Sequence, residues 1–277
     1  MPQDRDPDQP YVLGTHGEEL ERLRFQHELW RPLAEAAWDR AGLKAGERVL
    51  DLGAGPGFVA LDLARRVGPM GHVLALEHSA DYVAAGRRLA AEAGLAQLEL
   101  RRHDLLRDPL PREGFDLAWM RWVAMFLPDL EPLLAQLPQA LQPGARLVVH
   151  EYVHWDSFGL HPHGAAIHRF GQAVQCSFQR AGGDPDVNRR LPSLLAARGF
   201  RIDALDPLPV LGRRGSLAAQ WMERFVTVYA DQLAAQGLWT EADQAQAEAE
   251  IAAAASDPGS FWVGPTVLEL RATRWAP

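Results

Sequence analysis

The sequence is poor in the features that mark secreted and membrane proteins. Among its 277 residues, Cys176 is the single cysteine, which excludes intramolecular disulfides and cysteine-based zinc clusters. A reducing cytoplasm is therefore the simplest compartment. No apolar run approaches the roughly 20 residues that a membrane span needs, and residues 1–8 lack the apolar core of a secretion signal. We expect a soluble, cytoplasmic protein with no membrane partner.

Basic residues are also outnumbered. The chain has 28 Lys and Arg against 36 Asp and Glu, a formal net charge of −8 at pH 7. Such a charge repels a phosphate backbone unless a strong local basic patch compensates, and only short clusters such as Arg213 and Arg214 are present. A small molecule is therefore the expected partner, and a nucleic acid is not.

One glycine-rich turn is the most informative feature of the chain. Residues 48–58 have the sequence Arg-Val-Leu-Asp-Leu-Gly-Ala-Gly-Pro-Gly-Phe, so an apolar strand carries Asp51 into a turn with several glycines. Glycine lets a backbone approach a ligand closely, and a helix that begins at Phe58 would point its first N–H groups at that ligand. The turn, including Ala54, therefore predicts a binding site. A purely structural strand-to-helix turn is the alternative.

The spacing of these glycines departs from the G-x-G-x-x-G pattern of dinucleotide-binding proteins. Counted from Gly53, through Gly55, the third glycine of that pattern would fall at Phe58, whereas Gly57 comes one residue earlier. The pattern is D-x-G-x-G-x-G and resembles the first motif of class I S-adenosyl-L-methionine-dependent methyltransferases. The resemblance implies that the turn packs under the methionine part of the cofactor and that Asp51 orients its amino group.

A second acid follows at the end of the next predicted strand. Residues 71–77 predict a buried strand that ends at Glu77, 20 residues beyond Gly57, where an α/β fold places a ribose-binding carboxylate. A carboxylate can accept hydrogen bonds from both ribose hydroxyls, so Glu77, with His78 beside it, is predicted to bind ribose. A surface acid near the cap of a helix that starts at Ser79 is the alternative.

A third acid, Asp104, follows the third predicted strand. The resemblance implies that this position accepts a hydrogen bond from the adenine amino group, with His103 or Leu105 supplying a flat or apolar contact to the ring. A nicotinamide-dependent dehydrogenase also needs glycines and a ribose carboxylate, but it has no need of a third acid. The series Asp51, Glu77 and Asp104 therefore favours S-adenosyl-L-methionine, and an NAD-dependent oxidoreductase is the weaker alternative.

The segment after the fourth predicted strand bears on the substrate. Nucleic-acid base N-methyltransferases usually carry Asn or Asp followed by Pro-Pro and an aromatic residue there, and magnesium-dependent catechol-type enzymes carry metal ligands. This chain has Trp119-Met-Arg-Trp122 instead. The resemblance points to the small-molecule group that includes quinone-biosynthesis methyltransferases. Arg121 is then a candidate partner of the cofactor carboxylate, and a solvated arginine is the alternative.

The periodic segments predict one α/β domain, for which a chain with 47% hydrophobic residues has enough core. The expected fold is a three-layer α/β/α sandwich, doubly wound around a seven-stranded, mostly parallel sheet. The resemblance implies that the last strand runs antiparallel beside the fifth. The predicted strands are 48–52, 72–77, 97–102, 115–119, 145–153, 200–211 and 266–275, and the predicted helices are 58–67, 79–93, 129–141 and 190–199.

The rest of the chain is predicted to cover the binding site. Residues 1–44 form an N-terminal tail and a lid helix, 17–40, interrupted near Pro32. Residues 45–277 form the methyltransferase domain. Two additions in this domain lie beside the strand ends, where loops cover an active site; they span about 154–189 and 216–256, the second as two alanine-rich helices.

Two further cofactor contacts come from the resemblance alone. Related small-molecule enzymes often begin with a similar Tyr-x-Leu-Gly and Glu-Arg-x-x-x-Gln pattern, which places Tyr11 and Gln26 at the cofactor. The additions are also rich in aromatic residues, whose default role is packing. If two or three of them face inward, they would suit a flat or apolar acceptor.

Histidines near the fifth strand are the candidates for a general base. A sulfonium already carries an activated methyl group, so positioning supplies much of the acceleration and a base is needed only for a poor nucleophile. His154 is the first choice, because it lies just past the strand, and His168 is the second, because it is expected to face the pocket from a helix. His161 and His163 have the spacing of metal ligands, but no paired cysteine or Glu-x-x-His supports a metal.

The sequence thus predicts a metal-independent methyltransferase that uses S-adenosyl-L-methionine and releases S-adenosyl-L-homocysteine. The acceptor would be the O, N or C atom of a small, flat or apolar molecule. A monomer and a homodimer are both compatible with the sequence. Because a fold does not fix its chemistry, a protein that binds the cofactor without transferring the methyl group is the alternative.

Overall fold

The structure, a computed structural model, describes residues 17–275. Short 3₁₀ turns lie at 124–126, 155–157 and 187–189. The helices are α1 Gly17–Arg40, α2 Phe58–Val67, α3 Ala80–Glu92, α4 Glu131–Leu134, α5 Leu137–Ala140, α6 Ala165–Arg180, α7 Leu191–Ala196, α8 Leu217–Ala235 and α9 Glu241–Ser256. The strands are β1 Arg48–Leu52, β2 His72–Glu77, β3 Leu98–Arg102, β4 Phe115–Arg121, β5 Leu141–His154, β6 Gly159–His161, β7 Phe200–Leu208, β8 Leu211–Arg213, β9 Phe261–Val263 and β10 Thr266–Arg274.

The main sheet has seven strands in the order β3-β2-β1-β4-β5-β10-β7. Strands β1 to β5 pair in parallel, and β10 pairs antiparallel with both β5 and β7. The predicted fold, with its antiparallel last strand beside the fifth, is confirmed. The strand order reverses between β1 and β4, and open α/β sheets bind their ligands at such a switch point.

Helices cover both faces of the main sheet, which explains why its central strands are apolar almost throughout. On one face, Trp38 of α1 and Leu63 of α2 pack with Val73 of β2 in one buried cluster. On the other face, Leu50 of β1 and Leu133 of α4 belong to a second cluster. The three-layer sandwich places the carboxyl ends of β1 to β4 at one open edge.

The first helix differs from its prediction, because α1 runs through Pro32 without a break. A proline inside a helix removes one backbone hydrogen bond and usually kinks the chain. Here, Trp30 and Ala34 on either side of Pro32 are 0% exposed, and Trp38 one turn further is 1% exposed. Burial of these side chains against the rest of the protein compensates for the lost hydrogen bond.

Two other elements also differ from the prediction. The helix expected at 129–141 is divided into α4 and α5, and Pro138 lies in the first turn of α5, where its missing N–H does no harm. The strand expected at 200–211 ends at Leu208, and β8 instead joins β6 and β9 in a separate three-stranded sheet. Each of these strands has three residues, too few for a readable period.

A buried charged cluster ties α1 to the far half of the main sheet. Glu269 of β10 is 0% exposed, and its carboxylate accepts a hydrogen bond from Arg40 Nε at 3.0 Å and lies 3.2 Å from His150 Nε2. Burial alone would raise the pKa of Glu269, but the hydrogen bonds of His150 and Arg40 lower it to about 2. The carboxylate is therefore ionised at neutral pH.

Within residues 17–275, no helix is long and apolar enough to cross a membrane.

This cluster gives a prediction about stability. Glu269→Gln keeps the side-chain shape but removes the charge that pairs with Arg40, and it should lower the free energy of unfolding at pH 7 by roughly 2–3 kcal/mol. Urea unfolding followed by circular dichroism measures the change. Glu92→Gln, on the exposed face of α3, is the matched control and should change stability by less than about 0.5 kcal/mol. Equal effects of the two substitutions would contradict a stabilising role of the cluster.

Candidate functional site

A cavity of about 380 Å³ lies at the open edge formed by the carboxyl ends of the parallel strands. One half is built from the strand ends and the glycine turn, and we call it the strand-end half. The other half is built from the β4–α4 loop and the two additions. Gln26 lines the cavity from α1. The structure brings most of the other predicted cofactor residues together in the strand-end half: Asp51, Gly53, Ala54, Gly55, Glu77, His78, His103, Asp104, Leu105 and Arg121.

The glycine turn requires glycine for two physical reasons. Gly53 and Gly55 have φ values of +68° and +56°, in the region that favours glycine. A Cβ atom on Gly53 would also lie 2.4 Å from Cγ2 of Val123. Gly57, with φ +85°, caps α2, and a Cβ atom there would lie 3.0 Å from Leu100 Cδ2. Gly57 is not among the lining residues of the cavity, so its predicted cofactor contact is replaced by a structural role.

Glu77 joins the turn to the start of α3. Its Oε2 accepts a hydrogen bond from the Gly55 amide at 2.8 Å, and its Oε1 accepts one from the Ser79 amide at 2.8 Å. Burial raises the pKa of Glu77, and these backbone hydrogen bonds oppose the rise. Because each carboxylate oxygen has a second lone pair, Glu77 can support the helix start and still accept hydrogen bonds inside the cavity.

Two oppositely charged side chains next to the turn each have one atom without a hydrogen-bond partner in the described residues. Asp51 is 2% exposed, and among residues 17–275 its Oδ2 atom has no hydrogen-bond partner. Burial raises the pKa of Asp51 to about 7, against the attraction of Arg121. Nη1 of Arg121 is likewise without a partner in the described part of the chain, and burial lowers its pKa to about 10. This pair is complementary to a ligand that carries one ammonium and one carboxylate group.

Unpaired polar atoms are concentrated on this cavity. Of the twelve buried side-chain nitrogen and oxygen atoms that lack a partner in the described residues, five belong to residues that line it. Buried polar groups are normally hydrogen-bonded, so unpaired ones on residues that line a cavity are candidates to bind a ligand or water. These atoms are His27 Nδ1, Asp51 Oδ2, His103 Nε2, Arg121 Nη1 and Trp122 Nε1.

The third acid lies at the far end of the strand-end half. Oδ1 of Asp104 accepts a hydrogen bond from the Leu106 amide at 2.9 Å, and Oδ2 lies 4.0 Å from His78 Nδ1. His103 is 6% exposed, and burial lowers its pKa, so its ring is neutral at pH 7. Asp104 therefore offers a carboxylate beside one flat ring and the apolar side chain of Leu105, as the prediction for an adenine ring requires.

Helix α1 closes the cavity through two adjacent residues that contact different elements. Oε1 of Gln26 accepts a hydrogen bond from Trp221 Nε1 of α8 at 3.1 Å and one from Arg22 at 3.2 Å. Nε2 of His27 lies 2.9 Å from Asp62 Oδ2 of α2. Gln26 thus links the helix to the second addition and His27 links it to the core. The predicted contact Tyr11 lies outside the described residues.

The other half of the cavity, which we call the aromatic half, is almost entirely apolar. Its walls come from the loop after β4, the end of β5, α6 and α8. Such a lining suits a flat or apolar molecule. The aromatic and aliphatic side chains that form it are Trp122, Met125, Phe126, Leu127, Tyr152, Trp155, Phe158, Phe178, Trp221, Met222 and Phe225.

The two predicted catalytic histidines do not line the cavity. The pairing of β5 with β10 shifts register between Tyr152 and His154, so the alternation that would carry His154 into the cavity is broken. His154 is exposed, with Nδ1 3.3 Å from Arg189 Nη2. His168 is on the exposed face of α6, beside Gln172 at 3.2 Å. The placement of both side chains argues against a role as general base.

Sequence reasoning missed two residues that shape the aromatic half. Trp122 lines the cavity directly after Arg121. Glu151 lies behind it, where burial raises its pKa to about 8 against three backbone hydrogen bonds. The position of Trp122 at a strand end was a readable signal, whereas nothing in the local sequence shows that Glu151 binds a neighbouring loop.

Residues 17–275 contain no group of three or more His, Cys, Asp or Glu residues placed to hold a metal ion.

The fold and the site define a class of protein. A sheet of this strand order, with a D-x-G-x-G-x-G turn from β1 into α2 and acids at or just past the ends of β1, β2 and β3, has the Rossmann-like architecture of class I methyltransferases. A family model described as a methyltransferase domain matches residues 43–175. The resemblance to class I methyltransferases that the sequence predicts is therefore confirmed over this segment, which is just under half of the chain.

Two relatives of similar sequence are described as methyltransferases. The chain is 36% identical over 124 residues to a 2-phytyl-1,4-naphtoquinone methyltransferase of Synechococcus elongatus, which covers 44% of this chain and 52% of the relative. It is 32% identical over 120 residues to the nocamycin O-methyltransferase of Saccharothrix syringae, which covers 43% of each chain. The chain thus spans about half the length of the relatives it matches.

A solved structure agrees on the fold. The geranyl diphosphate C-methyltransferase of Streptomyces coelicolor, in complex with Mg²⁺, geranyl diphosphate and S-adenosyl-L-homocysteine, has a TM-score of 0.56 to this chain at 19% identity. The likeness covers 97% of this chain and 90% of that one. At this identity the likeness shows the shared fold alone.

The clash at Gly53 gives a second prediction. Gly53→Ala adds left-handed backbone strain and a contact with Val123, whereas Gly94→Ala, with φ +66° and open space around it, adds the strain alone. Gly53→Ala should therefore lower the free energy of unfolding by about 1–3 kcal/mol more than Gly94→Ala. Urea unfolding of both variants measures the difference. Equal losses would mean that the turn and the β4–α4 loop can separate without cost.

Proposed function

We propose that this chain transfers the methyl group of S-adenosyl-L-methionine to an O, N or C atom of a small, flat or apolar molecule. The observation that carries the proposal is the oppositely charged pair Asp51 and Arg121 beside the glycine turn, each with one atom that has no hydrogen-bond partner in the described residues. An amino-acid end with one ammonium and one carboxylate satisfies both groups. A pyrophosphate-bearing dinucleotide would instead bring negative charge to a buried Asp51 carboxylate.

Each part of the cofactor has a matching group in the strand-end half. Asp51 would accept the ammonium and Arg121 would donate to the carboxylate of the methionine part. Glu77, already fixed by two backbone amides, would accept from the ribose hydroxyls. Asp104 and the His103 ring would bind the adenine base. The order of these groups along one edge of the sheet therefore supports a ligand with a nucleoside at one end and an amino acid at the other.

The chemistry also matches the division of the cavity. S-adenosyl-L-methionine supplies a methyl group on a sulfonium, which a nucleophile displaces in line while the sulfur keeps the electron pair of the broken bond. The walls of the aromatic half, such as Trp155 and Phe225, exclude water and orient the acceptor. Orientation of this kind can supply much of the rate acceleration. With His154 and His168 outside the cavity, the proposal assigns no histidine of the additions as a base.

Two parts of the prediction extend the proposal beyond the site. We place the protein in the cytoplasm on its cysteine content alone, and we expect a monomer or a homodimer. The matched relatives named above are a quinone-type methyltransferase and an O-methyltransferase, which supports a small organic acceptor for this chain as well.

Calorimetric titration tests the proposed cofactor. S-adenosyl-L-methionine and S-adenosyl-L-homocysteine should both bind with one site per chain, and NAD should not bind. Binding of neither S-adenosyl compound would contradict the proposal. Turnover is then measured as release of S-adenosyl-L-homocysteine with a broad panel of hydroxylated and amino-substituted aromatic acceptors. Cofactor binding without such turnover would favour a protein that holds the cofactor without transfer.

A truncated ligand separates the roles of the two acids. 5′-Methylthioadenosine has the nucleoside but lacks the amino-acid end. Glu77→Gln should weaken both S-adenosyl-L-homocysteine and 5′-methylthioadenosine by about 10–100-fold, because both ligands carry the ribose. Asp51→Asn should weaken only S-adenosyl-L-homocysteine, by a similar factor. Glu92→Gln is the matched surface control. An equal loss of both ligands in Asp51→Asn would show that Asp51 supports the turn and does not bind the ammonium.

The raised pKa of Asp51 predicts how binding depends on pH. Below a pKa of about 7, Asp51 is increasingly protonated, and the neutral acid must lose its proton before it pairs with an ammonium. The affinity for S-adenosyl-L-homocysteine should therefore rise with pH, by up to about tenfold per unit below 7, and then level off. The charges that act on Asp51 from nearby are Glu77 and Arg121.

Titrations between pH 5.5 and 8 measure this dependence. 5′-Methylthioadenosine, which has no ammonium, should show an affinity that does not change through the same range. Asp51→Asn should remove the pH dependence for S-adenosyl-L-homocysteine. A slope that survives this substitution would assign the titration to another group.

A further inference from the structure

Trp122, at the junction of the two halves of the cavity, has an unusual backbone. Its φ is +51°, and it is the one residue other than glycine with a positive φ in the described part of the chain. A side chain as large as tryptophan makes this conformation costly, by about 1–3 kcal/mol. Such strain persists only where the surroundings enforce it, and it is concentrated at functional sites.

The end of β5 enforces this conformation. The Trp122 amide donates to the carbonyl oxygen of His150 at 3.0 Å. The next two amides, of Val123 and Ala124, both donate to Oε1 of Glu151 at 2.6 and 2.7 Å. Glu151 is 0% exposed, and these hydrogen bonds are its contribution to the loop. Two consecutive residues of β5 therefore fix the strained residue and the loop that follows it.

The fixed backbone places the indole ring between the cofactor residues and the aromatic half. The guanidinium carbon of Arg121 lies 5.2 Å from the indole centroid. Tyr152 stacks at 5.6 Å and 26°, Trp221 stacks at 6.2 Å and 16°, and Trp30 meets the ring edge-on at 5.0 Å. These neighbours hold the ring in one position, and it lines the cavity there.

The indole nitrogen of Trp122 has no hydrogen-bond partner among residues 17–275. The indoles of Trp155 and Trp221, which line the same half, donate to Gly171 O at 2.8 Å and to Gln26 Oε1 at 3.1 Å. A buried donor without a partner costs about 1–3 kcal/mol. Strain and an unpaired donor at the same residue are two independent costs, and a bound ligand that accepts the hydrogen bond would offset the second.

We propose that Trp122 orients the methyl acceptor by donating its indole N–H to an oxygen atom on a flat aromatic ring, and that Glu151 is the positioning residue that keeps it there. The proposal rests on the proposed function and narrows its substrate class to aromatic molecules that carry a hydroxyl or carbonyl oxygen. Arg121, on one side of the indole, belongs to the strand-end half of the cavity. An acceptor oxygen bound at Trp122 would therefore lie at the boundary between the strand-end half and the aromatic half.

A pair of probe molecules tests the oxygen preference. With the protein saturated by S-adenosyl-L-homocysteine, 2-naphthol and naphthalene are titrated; the two differ by one hydroxyl group. The wild-type protein should bind 2-naphthol about five- to tenfold more tightly, although naphthalene is the more apolar of the two. Equal affinities, or no binding of either probe, would overturn the proposal.

The indole nitrogen is tested by a substitution that keeps an aromatic ring and the same backbone strain. Trp122→Phe should reduce the preference for 2-naphthol to twofold or less and leave the affinity for S-adenosyl-L-homocysteine within twofold of wild type. Trp30→Phe is the matched control, because Trp30 is also buried with an unpaired Nε1 in the described residues but is not among the lining residues. It should keep the preference, and an equal loss in both variants would overturn the assignment to Trp122.

Glu151 is tested by rescue. Glu151→Gln keeps an oxygen that can accept from the Val123 and Ala124 amides and should keep the preference for 2-naphthol within twofold. Glu151→Ala leaves those amides unpaired and should lose it, while S-adenosyl-L-homocysteine still binds within about fivefold. A parallel loss of S-adenosyl-L-homocysteine binding in Glu151→Ala, or loss of the preference in Glu151→Gln, would contradict a positioning role. Because S-adenosyl-L-homocysteine is measured separately, failure of the proposed cofactor is distinguished from failure of this inference.

Discussion

The structure depends on a buried carboxylate whose Oδ2 atom has no hydrogen-bond partner in the described residues. Asp51 is the last but one residue of β1, at the switch point of the strand order, and β1 leads directly into the glycine turn. Placing a larger residue at Gly53 would push the turn away from Val123 and open the site to water. The cost of burying Asp51 is visible in its pKa of about 7. An apolar residue at this position would make the sheet more stable. We therefore attribute the charge of Asp51 to the binding of the proposed cofactor.

Two other buried carboxylates organise the two halves of the cavity in the same way. Glu77 binds the amides of Gly55 and Ser79, and Glu151 binds those of Val123 and Ala124. Each acid therefore fixes a loop that lines the cavity, one in the strand-end half and one in the aromatic half. A carboxylate that accepts several backbone amides is rigid in a way that a solvated side chain is not. The precision of the site comes from these loops, although loops are usually the mobile part of a fold.

The sequence predicted the strand-end half well and the aromatic half poorly, and the reason is physical. Asp51 and Glu77 lie at the ends of β1 and β2, and Asp104 follows β3. The carboxyl ends of parallel strands meet at one edge whatever the side chains do elsewhere. His154 was misplaced because the register shift between β5 and β10 depends on a strand more than a hundred residues away. His168 was misplaced although its position was readable, because the buried residues of α6, such as Ile167, Phe170 and Val174, recur at helical spacing and His168 lies off that face.

The two halves also differ in where their residues lie along the chain. The groups proposed to hold the cofactor come from consecutive strand ends within residues 43–175, which match the family model. Two of the aromatic walls, Trp221 and Phe225, come from α8, outside that match. Substitutions in α8 can therefore reshape the acceptor side while the strand ends stay as they are. Trp122 is the exception among the aromatic walls, because it belongs to the matched segment and lies between the two halves. Its fixed backbone therefore limits where an acceptor can lie next to the cofactor residues.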